Sequence, residues 1–100
     1  MSETLILEFS GVTADKYHEV NGYLGLDQAT GEGDWPAGLI DHLGTIGDDG
    51  AITVVEIWDS RQSQQDFMDS RLGAALGKAG MPEPGRAEWL TVLGHNHPGH

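Results

Sequence analysis

Two runs of β-forming residues meet at an Asp-Asp-Gly turn in the middle of the chain, and no other feature limits the fold as tightly. Residues 38–60 read GLIDHLGTIGDDGAITVVEIWDS. The turn is Asp48-Asp49-Gly50, where glycine accepts the positive φ that short hairpin loops need. Alternation along the first run, 38–46, predicts Leu39, Asp41, Leu43 and Thr45 on one face and Ile40, His42, Gly44 and Ile46 on the other. The second run, 51–58, predicts Ile52, Val54, Glu56 and Trp58 opposite Thr53, Val55 and Ile57. Both of its faces are largely apolar, whereas an antiparallel sheet covered by helices on one side should show a polar second face. The second face therefore needs a cover, and a second copy of the chain supplies it most economically.

The remaining elements fall around this hairpin. Residues 4–10 form a predicted first strand with Leu5, Leu7 and Phe9 on one face. Thr13 is placed to cap a helix over 14–24, with Asp15 in the first turn, an inward stripe of Tyr17, Val20 and Leu24, and Asn21 beside it. Residues 26–37, LDQATGEGDWPA, show neither helical nor strand period and read as a loop whose one large apolar group, Trp35, folds back on an end of the core. After the hairpin, Asp59 or Ser60 caps a second helix running to about Lys78, with Asp59 and Gln62 approximating a capping box. Its stripe is Met68, Leu72, Ala75, Leu76 and Ala79, flanked by Phe67. Gly80 ends it, MPEPGR turns the chain, and residues 87–93 make a fourth strand. The order βαββαβ predicts an α+β, ferredoxin-like fold: four antiparallel strands with two helices on one face. Residues 1–94 read as a single domain and residues 95–100 as a polar tail.

Charge and composition remove several functions. Sixteen acidic residues against five Lys plus Arg give a formal charge of −11, which repels phosphate backbones and anionic lipid heads, so neither nucleic acid nor a membrane is an expected partner. The N-terminal MSETLILEF lacks the basic start and long apolar stretch of a signal peptide, and a cytoplasmic location is expected. The absence of cysteine excludes disulfides, thiolate zinc sites and a cysteine nucleophile. GEG and GDDG lack the spacing and lysine of a phosphate loop, and no G-x-S-x-G elbow occurs.

The candidate chemistry lies on and around the hairpin. His42, mid-strand among apolar neighbours, is suited to deprotonate a phenol or enol near neutral pH, and equally to serve as a hydrogen-bonded structural histidine. Asp41 points to the opposite face and is no partner for it. Glu56 on an apolar face needs a counter-ion, and Arg61, Arg71 and Arg86 are the candidates. Tyr17 and Asn21, one turn apart, present a hydroxyl and an amide on one face, while His18 points to solvent. With His42 as candidate base, Tyr17, Asn21, Trp35, Trp58 and Phe67 are the candidate binding residues; strand register decides whether Trp58 shares the side of His42. The tail histidines His95, His97 and His100 lack spaced carboxylate or thiolate partners, and no metal is expected.

Beyond these local readings, GLIDHLG, the turn, VVEIWDSRQSQQDFMDSRLGAAL, a short proline-containing turn and a last strand together resemble the antibiotic-biosynthesis-monooxygenase-like branch of the dimeric α+β barrel proteins. The resemblance implies a homodimer whose two sheets close into a barrel, with a ligand cavity between sheet and helices in each subunit. It implies a small-molecule-binding protein: a cofactor-free monooxygenase, or a cyclase or isomerase, acting on an aromatic or polyketide-like substrate. A non-catalytic ligand-binding protein is the alternative, since the same fold hosts many activities. The haem-degrading enzymes of that superfamily carry an iron-ligating histidine on the second helix; residues 60–78 contain none, so no cofactor is expected.

Overall fold

A computed structural model of the chain describes residues 2–96 and 98. The elements are β1 (Glu3–Phe9), α1 (Ala14–Leu24), β2 (Leu39–Ile46), β3 (Ile52–Trp58), α2 (Arg61–Phe67), α3 (Gly73–Ala79) and β4 (Arg86–Thr91). All strand pairings are antiparallel, in the order β2-β3-β1-β4, and the helices pack on one face, giving the ferredoxin-like βαββαβ architecture. Leu5, Val20, Leu24, Trp58, Phe67, Ala75 and Ala79 make the core between sheet and helices. A second cluster of Phe9, Val12, Ile52 and Val54 closes the hairpin end.

The hairpin forms as its turn residues dictate. Gly47 N–H donates to the Ala51 carbonyl at 2.9 Å, Asp49 Oδ1 accepts from Ala51 N–H, and Gly50 has φ of 83°. Thr13 caps α1 through Lys16 N–H, and Gly25 ends the helix in the left-handed region.

Alternation fails in one place. A β-bulge between Leu39 and Asp41 inserts a residue into β2, so Leu39 pairs with Trp58 while Asp41 pairs with Ile57. The extra residue turns Leu39 to the same side of the sheet as His42 rather than to the side of Asp41.

The second helix is not continuous. A π-helical turn at Met68–Leu72 separates α2 from α3. Widening by a residue lets Phe67, Ala75 and Ala79 all stay buried while Arg71 swings out to reach the carbonyls of Leu24 and Asp34 at 2.8 and 2.7 Å. The start also differs from the Asp59–Gln62 capping box. Ser60 is the cap and accepts from Ser63 N–H, Asp59 accepts from the Ser63 hydroxyl, and Gln62 turns instead to Asp66.

The loop over 26–37 is folded rather than extended. Asp27 Oδ1 accepts from the backbone of Ala29 and Thr30, Leu26 and Gly33 form an isolated bridge, and Arg71 fastens the loop at Asp34. Beyond β4, Val92 N–H donates to the Ser2 carbonyl and His95 Nε2 meets Asp41 Oδ2 at 2.5 Å on the sheet face opposite the helices. The remaining tail histidines, His97 and His100, lie outside the described residues.

Candidate active site

Register in the hairpin decides what His42 can do. Antiparallel pairing about the turn sets His42 directly opposite Glu56, seven residues either side of Asp49. His42 Nδ1 lies 2.9 Å from Glu56 Oε2, and Trp58 Nε1 lies 3.1 Å from Glu56 Oε1. The indole N–H can only donate, so one carboxylate oxygen is an acceptor by necessity, and the other takes the Nδ1–H of the imidazole. That leaves Nε2 as the acceptor of the neutral ring. Tyr17 Oη is 2.7 Å from Nε2, its ring plane within 18° of the imidazole.

The result is a directed series of hydrogen bonds, in which Tyr17 donates to His42, His42 donates to Glu56, and Trp58 holds the far carboxylate oxygen. The His42 and Glu56 side chains are only 10% and 9% exposed. Burial pushes the Tyr17 hydroxyl above the ordinary phenol range; the Asn21 amide opposes that shift and the Glu56 charge adds to it. The hydroxyl thus keeps its proton at neutral pH and has it to donate.

The arginine partner expected for Glu56 is corrected by this geometry: its carboxylate is held by hydrogen bonds from His42 and Trp58, and by none of the three arginines. Arg61 pairs with Glu3, Arg71 with Asp34, and Arg86 with Glu8 and Glu88. A directly opposed histidine reaches the carboxylate without crossing the core, whereas each arginine has a nearer acid.

Tyr17, His42 and Glu56 border a cavity of about 120 Å³ between sheet and helices. Apart from Asn21 and Gln64 its remaining walls are apolar, including Leu7, Leu39, Phe67, Met68 and Leu76. Trp35 forms part of the wall: its ring centroid lies 5.6 Å from that of His42, and its Nε1–H donates to the Gly31 carbonyl at 2.8 Å. Asn21 also lines it, but its amide is engaged, donating to the Tyr17 carbonyl at 2.9 Å and accepting from Gln28 at 3.1 Å. Trp58, wholly buried against Phe67 at 5.9 Å, is not among the lining residues, and it meets the site only through Glu56.

Three contributors escape a reading of the sequence. Glu56 as the partner of His42 is recoverable, because a turn centred on Asp49 pairs residues equidistant from it. Gly44 matters by what it lacks: a Cβ there would overlap the Tyr17 hydroxyl and come within 2.5 Å of its Cζ, so only glycine lets Tyr17 reach across β2. Gln64, buried on α2 and facing the cavity, carries no signal in a helix crowded with glutamines. Among the described residues, no group of three or more His, Asp or Glu is placed to hold a metal ion, and no helix is long and apolar enough to cross a membrane.

No protein-family model matches the sequence, and no curated protein does. The three-dimensional comparison is positive. The fold is that of antibiotic biosynthesis monooxygenase-like structures. One such structure, from Chloroflexus aurantiacus, superposes with a TM-score of 0.68 over 97% of this chain and 98% of its own, at 14% identity. A protein of unknown function from Nitrosomonas europaea gives 0.63 at 16% identity, covering 99% of this chain and 94% of its own. A conserved protein from Methanosarcina mazei gives 0.59 at 14% identity, covering 90% and 89%. At these identities the ferredoxin-like α+β fold is what is shared, and residue roles rest on the geometry of the site itself.

Proposed function

We propose that this protein binds a small aromatic or enolisable molecule between sheet and helices and that Tyr17, His42 and Glu56 move a proton from it. The observation that carries the reading is the directed Tyr17–His42–Glu56 series opening on an apolar cavity. An acidic O–H or activated C–H of the ligand gives its proton to the Tyr17 oxygen while the tyrosine proton passes to His42 Nε2. The imidazolium that results lies against the Glu56 carboxylate, where opposite charge in a low-dielectric site stabilises it. Apolar walls and the Trp35 ring keep water from competing.

The anion left behind is electron-rich. In oxygenation, a deprotonated ring methylene reacts with dioxygen, one oxygen atom becoming the new carbonyl and the other leaving as water with the two hydrogens. The monooxygenase-like neighbour favours this outcome; a cyclisation or isomerisation would instead return the proton at another atom. A homodimer is part of the same reading, because the sheet face away from the helices carries a row Leu43–Val55–Ile6 beside Ile57 and Leu90, with Leu43 57% exposed.

The test incubates the purified protein with a panel of phenols and cyclic diketones under air and under nitrogen. Turnover in air that stops under nitrogen identifies an oxygenase, and turnover in both identifies an isomerase or cyclase. His42→Ala is expected to slow either by about 10²–10⁴-fold with the fold retained. Binding without turnover would leave a ligand-binding protein, and a His42→Ala rate equal to the wild type would remove His42 as the base.

A further inference from the structure

The chain has four glutamines, and three of them are partnered: Gln28 with Asn21, Gln62 with Asp66 and Gln65 with Asp69. Gln64 differs. It is 8% exposed and lines the cavity, and its side-chain amide makes no hydrogen bond to any of the described residues. No hydrogen bond to the described residues accounts for an amide here, and an apolar side chain of similar size would serve helix packing as well. A ligand in the cavity can supply the donor or acceptor that the fold does not.

We propose that Gln64 is a second ligand anchor, resting on the acid–base reading for the first, and that the ligand is an uncharged single-ring phenol or enol bearing a further hydrogen-bonding group. The volume sets the ring count. A cavity of about 120 Å³ is of the same order as the roughly 150 Å³ that takes one benzene ring in a protein core, which suits a single ring and falls well short of a fused polycycle. The lining sets the charge. It contains Glu56 and neither lysine nor arginine, so a ligand carboxylate would enter an apolar site with no counter-ion and beside a like charge. Gln64 sets the substituent, because its amide offers both a donor and an acceptor to a carbonyl, carboxamide or second hydroxyl.

The experiment measures binding by calorimetry of the full chain to phenol, to the isomers of hydroxyacetophenone, to hydroxybenzoate and to a hydroxylated tricyclic anthrone. Wild-type protein is expected to bind one hydroxyacetophenone isomer about tenfold tighter than phenol, and to bind neither hydroxybenzoate nor the anthrone. Gln64→Leu should remove that tenfold preference, the difference one buried hydrogen bond makes, while leaving phenol affinity and the melting temperature unchanged or the latter higher. Equal preference in Gln64→Leu, or tight binding of the benzoate or anthrone, overturns the proposal. A melting temperature several degrees lower in Gln64→Leu makes the residue structural and also overturns it. Tyr17→Phe separates the two readings: if it weakens phenol binding while Gln64→Leu changes nothing, the acid–base site stands alone, and if no ring compound binds at all, both fall.

Discussion

Tyr17 links the stability of the fold to the chemistry of the site, since its hydroxyl is both shielded from water and hydrogen-bonded to His42 at 2.7 Å. Its proton is held more tightly in the folded chain than in the unfolded one, burial being the main cause. An unfolded tyrosine titrates near pH 10, so the stabilisation is complete below about pH 10 and is lost as pH rises through the higher folded value. Urea midpoints measured from about pH 9 to 11.5 should therefore fall more steeply for the wild type than for Tyr17→Phe, with Tyr23 titrating in both. Parallel curves would mean that Tyr17 is solvated like any surface tyrosine. Gly44 shares in this coupling, because the space left by its missing Cβ is what the Tyr17 ring occupies.

At the scale of elements, the sequence is legible wherever one periodicity or one turn residue acts alone. The Asp-Asp-Gly turn, the Thr13 cap and the alternation of β3 each produce what their local chemistry demands. It is illegible where an extra residue shifts the phase of a pattern. The bulge at Leu39–Asp41 and the π-helical turn at Met68–Leu72 leave composition unchanged and alter only the facing of residues on one side of them. An uninterrupted period therefore misplaces Leu39 and runs the second helix straight through to Lys78. The candidate site shows the same division. His42, Tyr17, Asn21, Trp35 and Phe67 all border the cavity, whereas Trp58 lies behind the wall because side alone says nothing of depth. Charge complementarity, weighed before register, sends Glu56 to the arginines and so misses His42.

For the molecule as a whole, one sheet serves two purposes, carrying the cavity on its helix side and an apolar field of Ile6, Leu43, Val55, Ile57 and Leu90 on the other. Glu8, paired with Arg86, and Thr45 and Thr53 form a polar border to that field, the arrangement expected of an interface core and rim. Light scattering at micromolar concentration should give the mass of two chains, and Leu43→Lys the mass of one; a wild-type monomer would contradict the homodimer and leave the cavity reading untouched. Whether the fold brings a proton acceptor to a ligand buried in that cavity is tested most directly with nitrophenol, a single-ring phenol whose anion absorbs visibly, titrated with the protein at a pH below its solution pKa. Binding is predicted to raise the phenolate absorbance, and His42→Ala, still binding the ring, is predicted not to; unchanged absorbance in the wild type despite saturation would contradict the acid–base site.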